Sequence, residues 1–258
     1  MGFLTDKMAA VRRELARHPL DDGGNLARAL ALPPARDFAG ALRREPPAII
    51  AEVKRASPSA GDIAADRDPV EQARAYADGG AAAISVLTDH EDFGGSLADL
   101  RAIRVAVQLP LLRKDFLVHP SQVIEARAAG ADAVLLIAAS LSATELDVLL
   151  GIAGELGLDA LVETHSPDDL DKALASTATL VGVNARDLET LEVDLGRALE
   201  QLARVPDDRV AVLESGVATR AQLEAAVSAG ASAILMGEAL MRSPDPRATL
   251  RALRGAEA

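Results

Sequence analysis

The sequence predicts an α/β fold: a closed (β/α)8 barrel of the TIM type with an N-terminal helical extension. Three observations predict it. Eight short apolar runs recur along the chain with helix-patterned segments between them, the signature of parallel βαβ units. Three junctions share one design, Ala77-Asp78-Gly79-Gly80-Ala81-Ala82-Ala83-Ile84, Ala129-Gly130-Ala131-Asp132-Ala133-Val134 and Ala229-Gly230-Ala231-Ser232-Ala233-Ile234. In each, a helix ends at a glycine suited to the left-handed cap and a strand follows at once. Finally, 258 residues with 49% hydrophobic and only 2% aromatic side chains suit a layered core of Ala, Leu, Val and Ile inside one barrel of about 250 residues. A doubly wound sheet is the competing fold, but no G-x-G-x-x-G follows the first strand.

The extension comes first. Leu4, Met8, Val11 and Leu15 recur at helical steps between Leu4 and Arg17, giving one apolar face. Asp21-Asp22-Gly23-Gly24 reads as a break, a second helix spans about Leu26 to Leu32, Pro33-Pro34 interrupts, and a third helix covers Phe38 to Arg43. Residues 1–45 are too few for a core of their own. They are expected to pack on the barrel of residues 46–258 as part of a single domain. The barrel strands are expected at Ile49–Val53, Ala83–Leu87, Leu109–Leu112, Ala133–Ile137, Ala160–Val162, Leu180–Val183, Val210–Leu213 and Ala233–Met236.

Composition removes several function classes. A net charge of −12 and a pI near 4.8 argue against nucleic acid as a partner, which demands a basic stripe. The absence of cysteine excludes disulfides, thiolate catalysis and cysteine-ligated metals. No segment reaches the ~18 apolar residues of a membrane span, and the first residues lack a signal-peptide pattern, so a cytoplasmic protein without membrane association is expected. His18, His90, His119 and His165 have no partner at metal-ligand spacing, so surface or loop roles are expected and no metal.

Catalytic groups of such barrels stand at the C-terminal strand ends. Those ends supply Glu52 and Lys54, Lys114 and Asp115, Glu163, Asn184 and Arg186, Glu214-Ser215-Gly216, and Gly237-Glu238. Glu52 and Lys54, two apart, share a strand face. Any single charge at a strand end is by default solvated, and Thr88, Ala138 and Glu214 fit that default best. Convergence is the stronger signal: Lys54, Lys114 and Arg186 would bring three cations to one mouth of an acidic protein, as an anionic small molecule requires. Ser215-Gly216 and Gly237-Glu238, on the last two strands, suit a phosphate cup built from backbone N–H groups, with the Glu238 side chain turned away.

These residues sit in longer motifs. Ile50-Ala51-Glu52-Val53-Lys54-Arg55-Ala56-Ser57-Pro58-Ser59, Ser85-Val86-Leu87-Thr88 with Phe93-Gly94-Gly95-Ser96, Leu112-Arg113-Lys114-Asp115-Phe116, Leu161-Val162-Glu163, Gly182-Val183-Asn184-Ala185-Arg186-Asp187-Leu188 and Glu214-Ser215-Gly216 closely resemble the indole-3-glycerol-phosphate synthase family of tryptophan biosynthesis. The match runs, in the family's order, from about residue 48 to about residue 250, and the helical extension is similar too.

The resemblance implies that 1-(2-carboxyphenylamino)-1-deoxy-D-ribulose 5-phosphate closes its ring with loss of CO2 and water, without a cofactor. It implies Lys114 as general acid on the ribulose carbonyl, Glu163 as its proton-transfer partner, Lys54 as phosphate-side ligand and later acid, and Glu52 as the group that orients Lys54 and helps remove the last proton. Asn184, Arg186 and Glu214 would position sugar hydroxyls and neighbouring charges. Phe93, Pro58, Leu135 and Leu188 would clamp the aryl ring, and Ser57 would hold the departing carboxylate. Ser215, Gly216, Gly237, Glu238 and Lys54 would serve the phosphate. Other tryptophan-pathway enzymes are the partners it admits.

Cations near Lys114 would lower its pKa and carboxylates would raise it; the sequence leaves that balance open. The family often has a lysine where this chain has Ala60, which removes a mobile cation from the loop; Thr164 and Leu213 are milder departures. A sibling phosphate-binding barrel enzyme would use another acid/base pair, typically Asp or Cys at strand ends. A catalytically silent barrel would lack Lys114 or Glu163, and both are present.

Overall fold

The computed structural model describes residues 2–44 and 47–255. The expected boundary between residues 45 and 46 lies outside the described residues. Eight parallel strands form a closed barrel: β1 (Ala48–Val53), β2 (Ala83–Leu87), β3 (Leu111–Lys114), β4 (Ala133–Ile137), β5 (Asp159–Thr164), β6 (Leu180–Asn184), β7 (Val210–Glu214) and β8 (Ala233–Met236). Each pairs with the next, and β8 closes on β1. Three helices precede the barrel, α1 (Phe3–Arg17), α2 (Asp22–Ala31) and α3 (Phe38–Arg44). The helices that follow are α4 (Pro69–Asp78), α5 (Leu97–Ala106), α6 (Pro120–Ala128), α7 (Ala143–Glu155), α8 (Pro167–Ala175), α9 (Leu195–Leu202), α10 (Arg220–Ser228), α11 (Glu238–Arg242) and α12 (Pro246–Arg254). Among the described residues no helix is long and apolar enough to cross a membrane.

Strand periodicity divides the core in two. Ile49, Ala51, Ile84, Val86, Val134, Leu136, Val181 and Val183 face the helices, while Ile50, Ala83, Leu112, Leu135, Leu161, Leu180, Val212 and Leu235 fill the barrel. Alternate side chains point to opposite faces, so the strands are apolar on both, as a sheet covered by helices requires. The inward series ends at the top of the barrel in Glu52, Lys114, Glu163, Asn184 and Glu214. The three repeated junctions behave as expected: Gly80, Gly130 and Gly230 have φ of 86°, 94° and 101°, a region open to glycine at little cost.

Two expectations need correction. The third strand begins two residues late, at Leu111, because Pro110 has no N–H to give to the ladder; Lys114 is therefore its last residue, registered against Leu87. Asp21-Asp22-Gly23-Gly24 contains a helix start as well as a break: the Asp21 carboxylate accepts from Gly24 N at 3.0 Å and caps α2, the usual role of an aspartate there.

The extension closes both ends of the barrel. Below, Phe38 and Leu42 of α3 are fully buried against Ala48, Val210 and Ala233. Above, α1 crosses the mouth. Leu4 N bonds Leu188 O at 3.3 Å, and the buried Lys7 ammonium reaches Asp89 at 2.7 Å, Asp92 at 2.6 Å and Glu91 at 3.1 Å.

Phe38→Ala would leave a hole beneath the barrel; unfolding in denaturant should show a loss of about 3–5 kcal/mol. The folded fraction should keep its catalytic rate, because the plug lies at the end opposite the charged residues.

Candidate active site

At the mouth, the inward-facing strand ends bring five polar side chains together. Lys114 Nζ lies 3.2 Å from Glu163 Oε2 and 3.3 Å from Glu214 Oε2. Asn184 Nδ2 donates to Glu163 Oε1 at 2.9 Å, and Asn184 Oδ1 accepts from Arg186 N at 2.9 Å, which fixes the amide. Glu52 Oε1 pairs with Lys54 Nζ at 2.9 Å, and Ser85 Oγ donates to Glu52 Oε2 at 3.4 Å. Two glycines make the packing possible. A Cβ on Gly182 would run into Glu214 Oε1, and one on Gly237 would crowd Glu52 Oε1 and Lys54 Nζ. Gly182 lies inside β6, where glycine marks such a close approach, and Gly237 directly follows β8.

Burial makes these charges interact strongly. Burial itself opposes the Lys114 ammonium, yet the carboxylates of Glu163, Glu214 and Glu52 outweigh it and raise the lysine pKa well above its ordinary value. The balance left open by the sequence therefore falls to the carboxylates. Glu52 is buried too, but Lys54 and Lys114 overcome that cost and hold its pKa below the usual range. Glu214 goes the other way: burial and the charge of Glu163 outweigh Lys114 and push it up to about 8. The Lys114 contact at 3.3 Å opposes that rise without cancelling it. As a strand-end carboxylate Glu214 fitted a solvated default; it is instead 1% exposed.

The other sequence candidates gather around this ring. Ser57, Pro58, Phe93, Leu135, Leu188 and Ser215 line the same cavity as Glu52, Lys54, Lys114, Glu163, Asn184, Arg186 and Glu214. Gly216, Gly237 and Glu238 line an adjoining cavity that shares Lys54, Arg186 and Ser215. There Ser215 and Gly216 both adopt positive φ, 64° and 78°, and the Glu238 carboxylate is turned to Arg242 Nε at 3.0 Å. Arg186 spends one nitrogen on Leu191 O at 2.9 Å, which bends its loop.

Sequence reasoning missed Phe3, Leu87, Phe116, Ile137, Leu191 and Leu235 in the main cavity. Period two would have found Leu87, Phe116, Ile137 and Leu235, which stand two residues from Ser85, Lys114, Leu135 and Ala233. Phe3 carries no local signal, since only the path of α1 brings it to the mouth. Three of the four phenylalanines thus meet here, with Phe116 centred 6.1 Å from Phe3 and 6.2 Å from Phe93. The arrangement has an ionic side with proton donors and acceptors, an apolar side fit for a flat ring, and a glycine-rich annex. His119 caps α6, while His165 pairs with Asp187 at 3.1 Å behind the ring.

Comparison with known proteins points one way. A family model described as indole-3-glycerol phosphate synthase matches residues 3–253. The chain is 51% identical over 259 residues to an indole-3-glycerol phosphate synthase of a Nocardioides species, covering all of both chains. It is 48% identical to that of Rhodopirellula baltica over 98% of this chain and 99% of the relative. Among solved structures, a 3-hexulose-6-phosphate synthase aligns with a TM-score of 0.66 at 20% identity, over 82% of this chain and all of the other, a likeness of fold alone.

The raised Glu214 pKa predicts a pH signature. Between its ordinary value of 4.5 and about 8 the folded protein holds a proton that the unfolded chain has released, so this group's contribution to stability falls as pH rises through that window. Denaturant unfolding of wild type and Glu214→Gln should show the wild-type stability declining relative to the variant from about pH 4.5 to about pH 8. A difference independent of pH would refute the raised value.

Proposed function

The chain belongs to the indole-3-glycerol phosphate synthase family and forms indole-3-glycerol phosphate; we propose that the reaction runs at the charged ring of the barrel mouth, with Lys114 as its first acid. The substrate, 1-(2-carboxyphenylamino)-1-deoxy-D-ribulose 5-phosphate, has an aryl ring, a ketose chain and two anionic groups. The aryl ring takes the apolar wall of Phe93, Pro58, Leu135 and Leu188, and Ser57 faces its carboxylate. The phosphate takes the annex of Ser215, Gly216, Gly237 and the Glu238 backbone, with Lys54 alongside. Folding the ring carbon onto the ketose carbonyl is a proximity effect, and such effects reach about 7–11 kcal/mol when the geometry is right.

The chemistry then needs an acid, a second acid and a base. The ring carbon bearing the carboxylate attacks the carbonyl carbon, and the carbonyl oxygen takes a proton from Lys114 as it becomes an alkoxide. Loss of CO2 returns the bonding pair to the ring and restores aromaticity. The new hydroxyl then leaves as water with a proton from Lys54, while a carboxylate removes a proton from the adjacent carbon, the former first carbon of the sugar. Glu163, a carboxylate in contact with Lys114, relays a proton from solvent back to the lysine, and Glu52, in contact with Lys54, assists the last deprotonation.

One observation carries this reading: the Lys114 ammonium, held between Glu163 and Glu214 on the cavity wall. Its raised pKa makes it a reluctant donor to a ground-state ketone, but the oxygen becomes strongly basic as the carbon–carbon bond forms. A donor preorganised where charge develops acts in the transition state. With Glu214 protonated below about pH 8, Lys54, Lys114 and Arg186 formally face the carboxylates of Glu52 and Glu163, a balance suited to an anionic substrate. In this reading extension and barrel act as one domain, and the enzyme works in the cytoplasm beside other enzymes of tryptophan biosynthesis.

Indole fluorescence tests the assignment directly. Wild type should convert the substrate, and Lys114→Met should lose at least ~10²–10⁴-fold in rate, the range of general acid catalysis. Lys114→Arg should not restore it, because guanidinium does not give up its proton in proteins. Undiminished turnover by either variant would remove Lys114 from the role.

A further inference from the structure

Behind the ring, β5 and β6 part company. Their ladder ends at Thr164 opposite Val183, one residue past Glu163 and one before Asn184, the two groups joined by a 2.9 Å hydrogen bond. Beyond the last pair a side chain takes over for His165 O and Asn184 O, while Ala185 O keeps a backbone partner in Asp194 N at 2.9 Å. Arg197, in the first turn of α9, donates through Nη1 to His165 O and through Nη2 to Asn184 O at 3.2 Å and Ala185 O at 3.4 Å. Gln201 Nε2 adds a bond to His165 O at 2.7 Å. Arg197 is itself held in register, since its N–H caps onto Asp194 Oδ1 at 3.0 Å.

The clamp continues into the loop that carries Arg186 and Leu188. Arg197 Nη2 lies 2.8 Å from His165 Nδ1. Nδ1 also lies 3.2 Å from Asn184 O, so the ring nitrogen sits between a guanidinium that only donates and a carbonyl that only accepts, while Nε2 faces Asp187 Oδ2 at 3.1 Å. The other oxygen of Asp187 accepts from Glu189 N at 2.7 Å and Thr190 N at 3.0 Å. These bonds set the turn that places Leu188 in the cavity and Leu191 O against Arg186.

We propose that Arg197 and His165 are positioning residues for the reaction, a side-chain extension of the β5–β6 ladder that fixes Glu163 against Asn184 and sets the Arg186 loop. Neither touches the cavity. Their effect passes through backbone placement, where an error of about 1 Å costs on the order of 10²-fold in rate. The inference rests on the assignment of Glu163 and Asn184 to the site.

Arg209 supplies an internal control. It makes a similar carbonyl clamp, to Ser176 O and Ala178 O, but just before β6, at the end of the barrel remote from the ring. Steady-state kinetics with thermal melts should therefore separate two behaviours. Arg209→Ala should lower the melting temperature and leave kcat unchanged, whereas Arg197→Ala should lower kcat ~10- to 100-fold with KM nearly unchanged. Arg197→Lys should recover part of the loss. His165→Asn, which keeps an acceptor near Nδ1 but loses the reach to Asp187, should fall between wild type and His165→Ala. In an Asn184→Ala background the further loss of Arg197 should cost little, because both changes disable one arrangement.

Wild-type kcat in Arg197→Ala, or the same factor lost from Arg197→Ala in wild type and in Asn184→Ala, would overturn the inference. If Asn184→Ala alone turned over at the wild-type rate, the site assignment beneath it would fail instead, and the inference with it. Should Arg197→Ala not fold, Arg197→Lys and His165→Asn carry the same comparisons, with full kcat in both as the contradicting result.

Discussion

The site depends on one buried cation among carboxylates. Three inward glutamates would repel one another inside a barrel, and burying unpaired charge is costly. Lys114 is what makes their proximity tolerable: it bridges Glu163 and Glu214 directly and lowers the pKa of Glu52 across the ring. The compensation is incomplete, and the residue shows in Glu214, whose pKa rises to about 8. The same imbalance that would be a defect in a structural core leaves a site rich in exchangeable protons, as a reaction with successive proton transfers needs.

The rest of the fold is arranged around that cation. Apolar inward residues up to Leu112 and Leu235 give the charged layer a rigid floor. Gly182 and Gly237 are cut back to admit carboxylates and ammonium. The ladder ends where the strands must splay to open the mouth, and Arg197 and His165 hold the freed backbone from behind. The N-terminal helix roofs the apolar half, pinned by Lys7 and contributing Phe3.

Most of the barrel was legible because its signals are local. Alternation, glycine caps and even spacing identify strands without knowledge of tertiary contacts, and a barrel rule then sends Lys114, Glu163 and Asn184 to one rim. What escaped depended on contacts far apart in sequence. The burial of Glu214 arises from packing beside Gly182, Phe3 reaches the cavity only through the course of α1, and the role of Arg197 exists only once β5 and β6 have separated. The misplaced third strand and the misread Asp21 are errors of another kind. Their signals, a proline before β3 and a capping aspartate before α2, are local and stand in the sequence.

The central claim is that Lys114 is the donor to the ketose oxygen, with Lys54 on the phosphate side. A crystal structure with the substrate's carbonyl reduced to an alcohol, which binds without closing its ring, tests it most directly. The account predicts Lys114 Nζ within about 3.2 Å of that oxygen and the phosphate in the annex by Ser215, Gly216 and Gly237. An oxygen contacted by Lys54 instead, with Lys114 still bound only to Glu163 and Glu214, would contradict it.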